Sequence, residues 1–443
     1  MRKLIILSLL SGLVLACSVS ATVPSSRTAR GTRPAVKPTE PAVERLAAAA
    51  QNANNLHPAA QVKKAQPKPA VDYNKILILL LAKITQNIDN PRPSCLYLLN
   101  HRLGISGLLD LDANYQNSYN FTRTKATHTM ISVAKLNFDL DATSWLHAHA
   151  GLFASTEDNR YYPVGFKAKK IEPDEAYITI LDLTKSKFYA RFGKQYVPFG
   201  NYHRYPIFKT LTQLLSETRA DKVAQIGYLD FHGIYYAVYA FNGVTRLNTV
   251  NKHDHNLNNG GAVLGYLNLN HPVGFDVGVE YLVNMADVGI IRRDLLGDYY
   301  QTRVAGIAVH GDIITGPFDF MARFVTAKDR FNPRDFAYLN HGVLGGARPK
   351  AASLLAGYKF KTKDHDSKFI VGGQWSGDAY NLSSNASQFT RLPQWRVSMA
   401  YAVRFCPHVI LGVEFTRDRD YTARHGGTGR FDNAVSARAS AYF

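Results

Sequence analysis

The stretch Gly104-Ile105-Ser106-Gly107-Leu108-Leu109-Asp110-Leu111-Asp112-Ala113-Asn114-Tyr115 decides how the rest of the chain is read. In an extended strand, side chains two residues apart share a face. Ile105, Gly107, Leu109, Leu111, Ala113 and Tyr115 then lie on one side, and Ser106, Asp110, Asp112 and Asn114 on the other. A helix, with its period of 3.6, would mix the two sets. The same rhythm separates Ala134, Leu136, Phe138 and Leu140 from Lys135, Asn137, Asp139 and Asp141. It also separates Trp395, Val397, Met399, Tyr401 and Val403 from Gln394, Arg396, Ser398 and Arg404. Strands of this kind build a sheet with one apolar face and one wet face.

Working outward, the pattern recurs about sixteen times, an even number as in bacterial single-chain barrels. The expected spans are 104–117, 128–140, 145–154, 174–182, 187–196, 222–230, 233–242, 260–270, 273–284, 302–314, 317–328, 350–361, 367–377, 394–405, 408–418 and 433–443. Short connections (Asp230-Phe231-His232-Gly233, Thr315-Gly316-Pro317, Cys406-Pro407) alternate strictly with long ones (155–173, 197–221, 243–259, 378–393). Short periplasmic turns and long extracellular loops produce this alternation, whereas a soluble sandwich has no reason for it. The fold expected for 104–443 is therefore all-β: a transmembrane antiparallel barrel in the bacterial outer membrane. The last strand places Val435, Ala437, Ala439, Ala441 and Phe443 on one face, like the C-terminal signal read by the barrel assembly machinery.

The N-terminal part differs in kind. Residues 1–21 have the anatomy of a secretory signal peptide, with Arg2 and Lys3, an apolar core from Leu4 to Leu15, and Val19 and Ala21 before cleavage at Thr22. Cleavage before Cys17 would instead make a lipoprotein, but Leu15 is a poor match for the small residue needed. Residues 22–103 form a basic linker and a short pre-barrel segment. Up to residue 70 they are rich in Ala, Pro, Lys and Arg, a composition expected to be disordered in the periplasm. Past the N-terminus no apolar run approaches the roughly 18 residues of a spanning helix; the longest is Ile76 to Ala82.

Three cysteines in 443 residues exclude a disulfide scaffold and leave Cys95 and Cys406 as one candidate pair on the periplasmic side. The net charge of +18 would suit nucleic acid in a cytosolic protein. An exported chain meets outer-membrane lipid, lipopolysaccharide and anionic solutes instead, so no nucleic-acid partner is expected. The chain carries no nucleophile elbow, Walker loop, dinucleotide fingerprint or H-E-x-x-H, so no enzyme activity and no cofactor are expected. His147 with His149, and His253 with His255, lack a local third ligand, so no metal site is expected. Gly426-Gly427-Thr428-Gly429 reads as a loop tip.

Alternation turns Arg191, Arg323, Lys359, Arg396, Arg404 and Arg438 inward, with Asp110, Asp112, Asp139, Glu280 and Glu414 as candidate partners. On the lipid face a charge costs about 2–4 kcal/mol near the midplane. The inward set is either a structural charge ladder or an anion-selective path. Lys167, Lys169, Lys170, Arg204, Lys209 and Lys222 fall in or beside expected extracellular loops, where they would attract an anionic ligand or contact lipopolysaccharide.

Several segments resemble the LbtU family of siderophore porins. They are Glu172-Pro173-Asp174-Glu175-Ala176-Tyr177-Ile178-Thr179-Ile180, Gly193-Lys194-Gln195-Tyr196-Val197-Pro198-Phe199-Gly200-Asn201 and Glu217-Thr218-Arg219. Further along come Tyr239-Ala240-Phe241-Asn242-Gly243, Gly346-Ala347-Arg348-Pro349-Lys350, and Asp420-Tyr421 followed by Gly426-Gly427-Thr428-Gly429. The Tyr-x-Pro-Phe-Gly portion is also similar to phosphate-selective porins. The resemblance implies a single barrel that takes up a ferric, carboxylate-type siderophore without the plug domain of TonB-dependent receptors. Family members often carry a longer helical N-terminal segment, and this chain departs from them there; oligomeric state stays open. The alternatives are a general or anion-selective porin, and a non-conducting structural or adhesion barrel.

Overall fold

The structure is a computed structural model that describes residues 96–99, 102–118, 121, 125–155, 171–182, 185–200, 207–230, 232–247, 259–268, 273–294, 299–332, 335, 347–379, 392–425 and 427–443. The expected signal peptide, Cys17, Cys95 and most of 22–103 lie outside these residues.

Nineteen strands occur among the described residues. They are β1 (Leu96–Leu98), β2 (Leu103–Gln116), β3 (Ala126–Asp141), β4 (Leu146–Ala154), β5 (Glu172–Leu181), β6 (Phe188–Tyr196), β7 (Arg219–Leu229), β8 (Ile234–Phe241), β9 (Arg246–Leu247) and β10 (Asn259–Asn268). The remainder are β11 (Val273–Leu282), β12 (Tyr299–Tyr300), β13 (Gly306–Thr315), β14 (Phe318–Ala327), β15 (Lys350–Thr362), β16 (His365–Gly377), β17 (Trp395–Cys406), β18 (Val409–Arg419) and β19 (Phe431–Tyr442). Two short α-helices occur among the described residues, α1 (Leu211–Ser216) and α2 (Gly289–Asp294), both in loops.

Sixteen strands form the wall, each antiparallel to the next, with β8 pairing directly to β10 and β11 to β13. β19 closes on β2, from Ala434 opposite Gln116 to Tyr442 opposite Leu108, so the sheet keeps no free edge. Beyond that register Gly107 and Phe443 exchange backbone hydrogen bonds of 2.9 and 3.1 Å. β1 then pairs with the start of β2, Leu96 opposite Ile105. The two-residue strands β9 and β12 stand outside the wall and pair in parallel. Each wall strand overlaps one of the sixteen sequence spans.

The wall is polar inside and apolar outside. Ser106, Asp110 and Asp112 are buried, whereas Leu109 and Tyr115 of the same strand are exposed. Val238, Leu264, Val277, Leu354, Val397 and Val435 continue the exposed apolar face around the barrel. Water-soluble proteins bury such residues; here hydrocarbon takes the place of the core. Short turns sit at one end only, at 316–317, 363–364 and 407–408 among others. Lys363 and Asp364 both hold left-handed φ, 46° and 68°, which suits a two-residue turn between twisted strands.

Where the long connections are described they do not simply project outward from the extracellular end. Val197, Phe199, Leu211 and Leu215 share one buried apolar cluster with Met285, Ile291, Val304, Phe331, Leu392 and Tyr421, all from the extracellular end of the barrel. Loops rich in Leu, Ile and Val have apolar surface to bury, at about 1.5–3 kcal/mol per large side chain, and the barrel mouth accepts it.

Candidate functional site

The connection from β6 to β7, here called L3 and described at 197–200 and 207–218, reaches the opposite side of the barrel through residues 207–212. Gly200 has a φ of +80° and lies against Ser216, leaving no room for a Cβ. Thr210 caps α1 by accepting a hydrogen bond from the Gln213 N–H at 3.2 Å. Leu211 and Leu215 turn into the apolar cluster.

The polar side of L3 is fastened to strands halfway round the ring. The Leu211 N–H donates to Gln374 Oε1 on β16 at 2.7 Å, and Thr212 donates to Ser353 Oγ on β15 at 3.1 Å. The Ile207 and Phe208 N–H groups both donate to Glu414 Oε2 on β18, at 3.0 and 2.9 Å. Arg396 on β17 donates to the Lys209 carbonyl at 3.0 Å while its guanidinium grips Asp418 through two bonds of 2.7 Å. Within L3, Lys209 pairs with Glu217 at 2.6 Å. These contacts hold L3 across the lumen as a constriction.

The wall around it is a network of opposite charges. Arg438 binds Asp112 through bonds of 2.7 and 2.6 Å and lies 3.6 Å from Asp110. Lys135 pairs with Asp174 at 3.0 Å and Glu175 at 3.6 Å, and Arg219 reaches Asp174 at 3.3 Å. Arg323 meets Asp312 at 3.4 Å, and Lys368 meets Asp319 at 2.5 Å. His149 and His147 face Asp139 and Asp141, and His310 sits between Glu280 and Asp276.

The residues singled out from sequence are distributed as follows. Arg191, Arg323, Arg396 and Arg438 are buried in the lumen wall. Arg191 donates to Thr179 at 3.0 Å and lies 4.4 Å from the Tyr177 ring centre. Arg404 is half-buried, 4.0 Å from Asp366. Lys359 stands opposite Lys368 and makes no ion pair among the described residues. Glu414 serves L3 rather than an arginine, and Arg396 takes Asp418 instead. Lys209 is a lumen residue, not a surface one, because L3 folds inward. Lys222 is exposed at the extracellular end of β7. Lys167, Lys169, Lys170, Arg204, His253, His255 and Gly426 lie outside the described residues. Cys406 is disulfide-bonded; its expected partner Cys95 also lies outside them.

Gln374, Ser353 and Asp418 drew no attention in the sequence, since each is an ordinary inward residue of a strand. Their only signal was the length of L3. A second fastening joins the loops after β8 and β11: Asp287 accepts from the Val244 and Thr245 N–H groups at 2.9 and 3.0 Å and from the Asn259 amide. Burial pushes the Asp287 carboxyl above its usual range, partly offset by these donors. Among the described residues no cluster of three metal-ligating side chains occurs.

No family model matches the chain. A UPF0422 protein of Coxiella burnetii is 26% identical over 360 residues, covering 77% of this chain and 72% of that protein. A UPF0422 protein of Legionella pneumophila, strain Philadelphia 1, is 23% identical, covering 77% and 66%. The chain therefore spans about two thirds of the Legionella relative. Among solved structures, the outer-membrane channel DcaP of Acinetobacter baumannii superposes with a TM-score of 0.50 at 15% identity, covering 77% of this chain and 97% of that one. Salmonella typhi OmpF superposes at 0.51 with 11% identity, covering 79% and 100%. At these identities the likeness speaks to fold alone. The chain is an outer-membrane β-barrel of porin-like fold, similar in sequence to UPF0422 proteins of Coxiella and Legionella.

Proposed function

We propose that this barrel is a constricted diffusion channel whose cargo is a ferric, carboxylate-type siderophore. The observation that carries the channel reading is L3: a loop fastened through Gln374, Ser353, Arg396 and Glu414 narrows a polar lumen. The polar wall also suits a structural charge ladder; the loop fastened against the far side of the ring is what favours a channel. The cargo rests on the family-like segments, the described parts of which, 193–200 and 217–219 among them, flank or form L3. The basic loop residues Lys167, Lys169, Lys170 and Arg204 would gather the anionic chelate before entry.

A general porin is the second reading, and the charge pairing favours it. Arg323, Arg396 and Arg438 each contact a carboxylate, which leaves the lumen less anion-attracting than the net charge of +18 suggests. Purified barrel in planar bilayers tests both. Conductance that falls on adding a ferric carboxylate siderophore, with loss of labelled uptake in deletion strains, supports the cargo. An open pore indifferent to the chelate supports the general porin, and no conductance at all sinks both.

A further inference from the structure

Charged side chains on the outward face of the wall call for an explanation, because lipid lies there. At the extracellular end of five adjacent strands, the outward row reads Lys350 on β15, Trp375 on β16, Trp395 on β17, Arg417 and Arg419 on β18 and Phe431 on β19. The register makes this one continuous patch: Trp375 stands opposite Trp395, Trp395 opposite Arg419, and Arg419 opposite Phe431. Both arginines, Trp395 and Phe431 are exposed.

The side chains are pre-positioned on one another. The Arg417 guanidinium lies 4.5 Å and that of Arg419 5.8 Å from the Phe431 ring centre, and the Lys350 ammonium 5.5 Å from Trp375. No ion pair forms at Lys350, Arg417 or Arg419 among the described residues. The nearby carboxylates are turned inward: Asp418 to Arg396, Asp420 to the Thr428 N–H, Asp432 to the Ser118 N–H. Elsewhere on the same rim the arrangement differs, since Lys194 is neutralised by Asp221 at 2.9 Å.

Three cations without an ion pair among the described residues, mixed with tryptophan at the end of the strands, suit a water–lipid boundary, where charge on the lipid face costs only about 0–1 kcal/mol. Guanidinium groups bind phosphate oxygens in pairs. From strand spacing, Lys350 and Arg419 stand about 14 Å apart, so the row can hold more than one phosphate. We propose that this row is a binding site for a phosphorylated glycolipid of the outer leaflet: its phosphates lie on Arg417, Arg419 and Lys350, and its acyl chains run down the apolar face past Val397 and Val435.

The test uses the full chain in detergent micelles free of lipopolysaccharide, titrated with bisphosphorylated lipid A. The expected result is binding about tenfold or more tighter than to dephosphorylated lipid A, with that preference much reduced in the double variant Arg417→Gln/Arg419→Gln and lost when Lys350→Gln is added. Lys194→Gln should bind as the parent does, and Arg417→Lys/Arg419→Lys should recover part of the affinity. Heat-modifiable migration confirms that each variant is folded. Equal binding of both lipids, or unchanged binding by the double variant, overturns the proposal. Displacement of the lipid by millimolar inorganic phosphate would mean that the row reads a free anion, which also overturns it.

Discussion

The backbone N–H of Leu211 donates to the side-chain carbonyl of Gln374 at 2.7 Å, although 163 residues separate them. The first residue of α1 is thereby bound to the wall opposite the strands that carry its loop. With Glu414 beneath Ile207 and Phe208, this makes the constriction a property of two distant parts of the chain.

Releasing that contact should widen the channel. Glu414→Ala leaves two N–H donors without an acceptor, a loss of about 1–3 kcal/mol for each buried group. Single-channel conductance should rise and trypsin should cut near Lys209, while Gln374→Glu, which keeps the acceptor, should retain the parental conductance. Unchanged conductance in Glu414→Ala would show that the contacts of L3 to Gln374, Ser353 and Arg396, with its apolar side, hold it without Glu414.

Arg438 is the hub of the seam between β19 and β2. Removing it strands Asp110 and Asp112 in a buried position, where an unpaired charge costs about 3–5 kcal/mol. Arg438→Ala should lower the urea midpoint of the refolded barrel, and adding Asp112→Asn should restore part of it. A single variant as stable as the parent would mean that water already solvates these carboxylates.

The turn between β7 and β8 should respond to acid. The hydrogen bond from Lys187 holds the Asp230 carboxyl below its usual range, opposed by slight burial and helped by His232. A carboxyl lowered in the folded state stabilises above the ordinary Asp range and loses that contribution as pH falls through its folded value. Asp230→Asn should therefore lower stability at neutral pH, where the charged carboxylate contributes, and flatten the acid limb, so that the two profiles converge in acid. Parallel profiles for the two proteins would refute this.

Cys406 should appear in peptide maps as a linked fragment under non-reducing conditions, with the peptide containing Cys95 as its partner. That bond would tie the segment before β1 to the periplasmic rim. A map that is the same with and without reductant contradicts the pairing.

Inside the wall, the Tyr235 ring lies across Gly265, with its hydroxyl 3.2 Å from both Asp276 and His310. A Cβ at position 265 would fall 2.1 Å from the ring, so Gly265→Val should destabilise by about 1–3 kcal/mol. Pairing it with Tyr235→Ala should recover part of the loss in the same urea assay.

The strands were legible because their information is local. Alternation in 104–115 or 395–403 needs only neighbouring residues and a rule about lipid, so the sixteen spans, the closed sheet and the inward arginines could be read directly. Lys209 shows where that reading fails. In sequence it is one more lysine in a long loop, and nothing near it says that the loop turns inward. The apolar residues Leu211, Leu214 and Leu215 were the available hint, but a run so short has many places to be buried. Glu414 shows the converse. Its inward direction followed from alternation, yet its partners are backbone groups more than two hundred residues away, and alternation carries no range information.

By itself, then, the sequence determined a porin-like wall: strand number, strand direction, the wet and oily faces, and which end bears the long loops, all consequences of a two-residue period facing two solvents. Only the tertiary structure decided what stands in the lumen. The path of L3, the pairing of Arg396 with Asp418 and the patch from Lys350 to Phe431 depend on which strands closure brings together, and closure is set by the register of the whole ring.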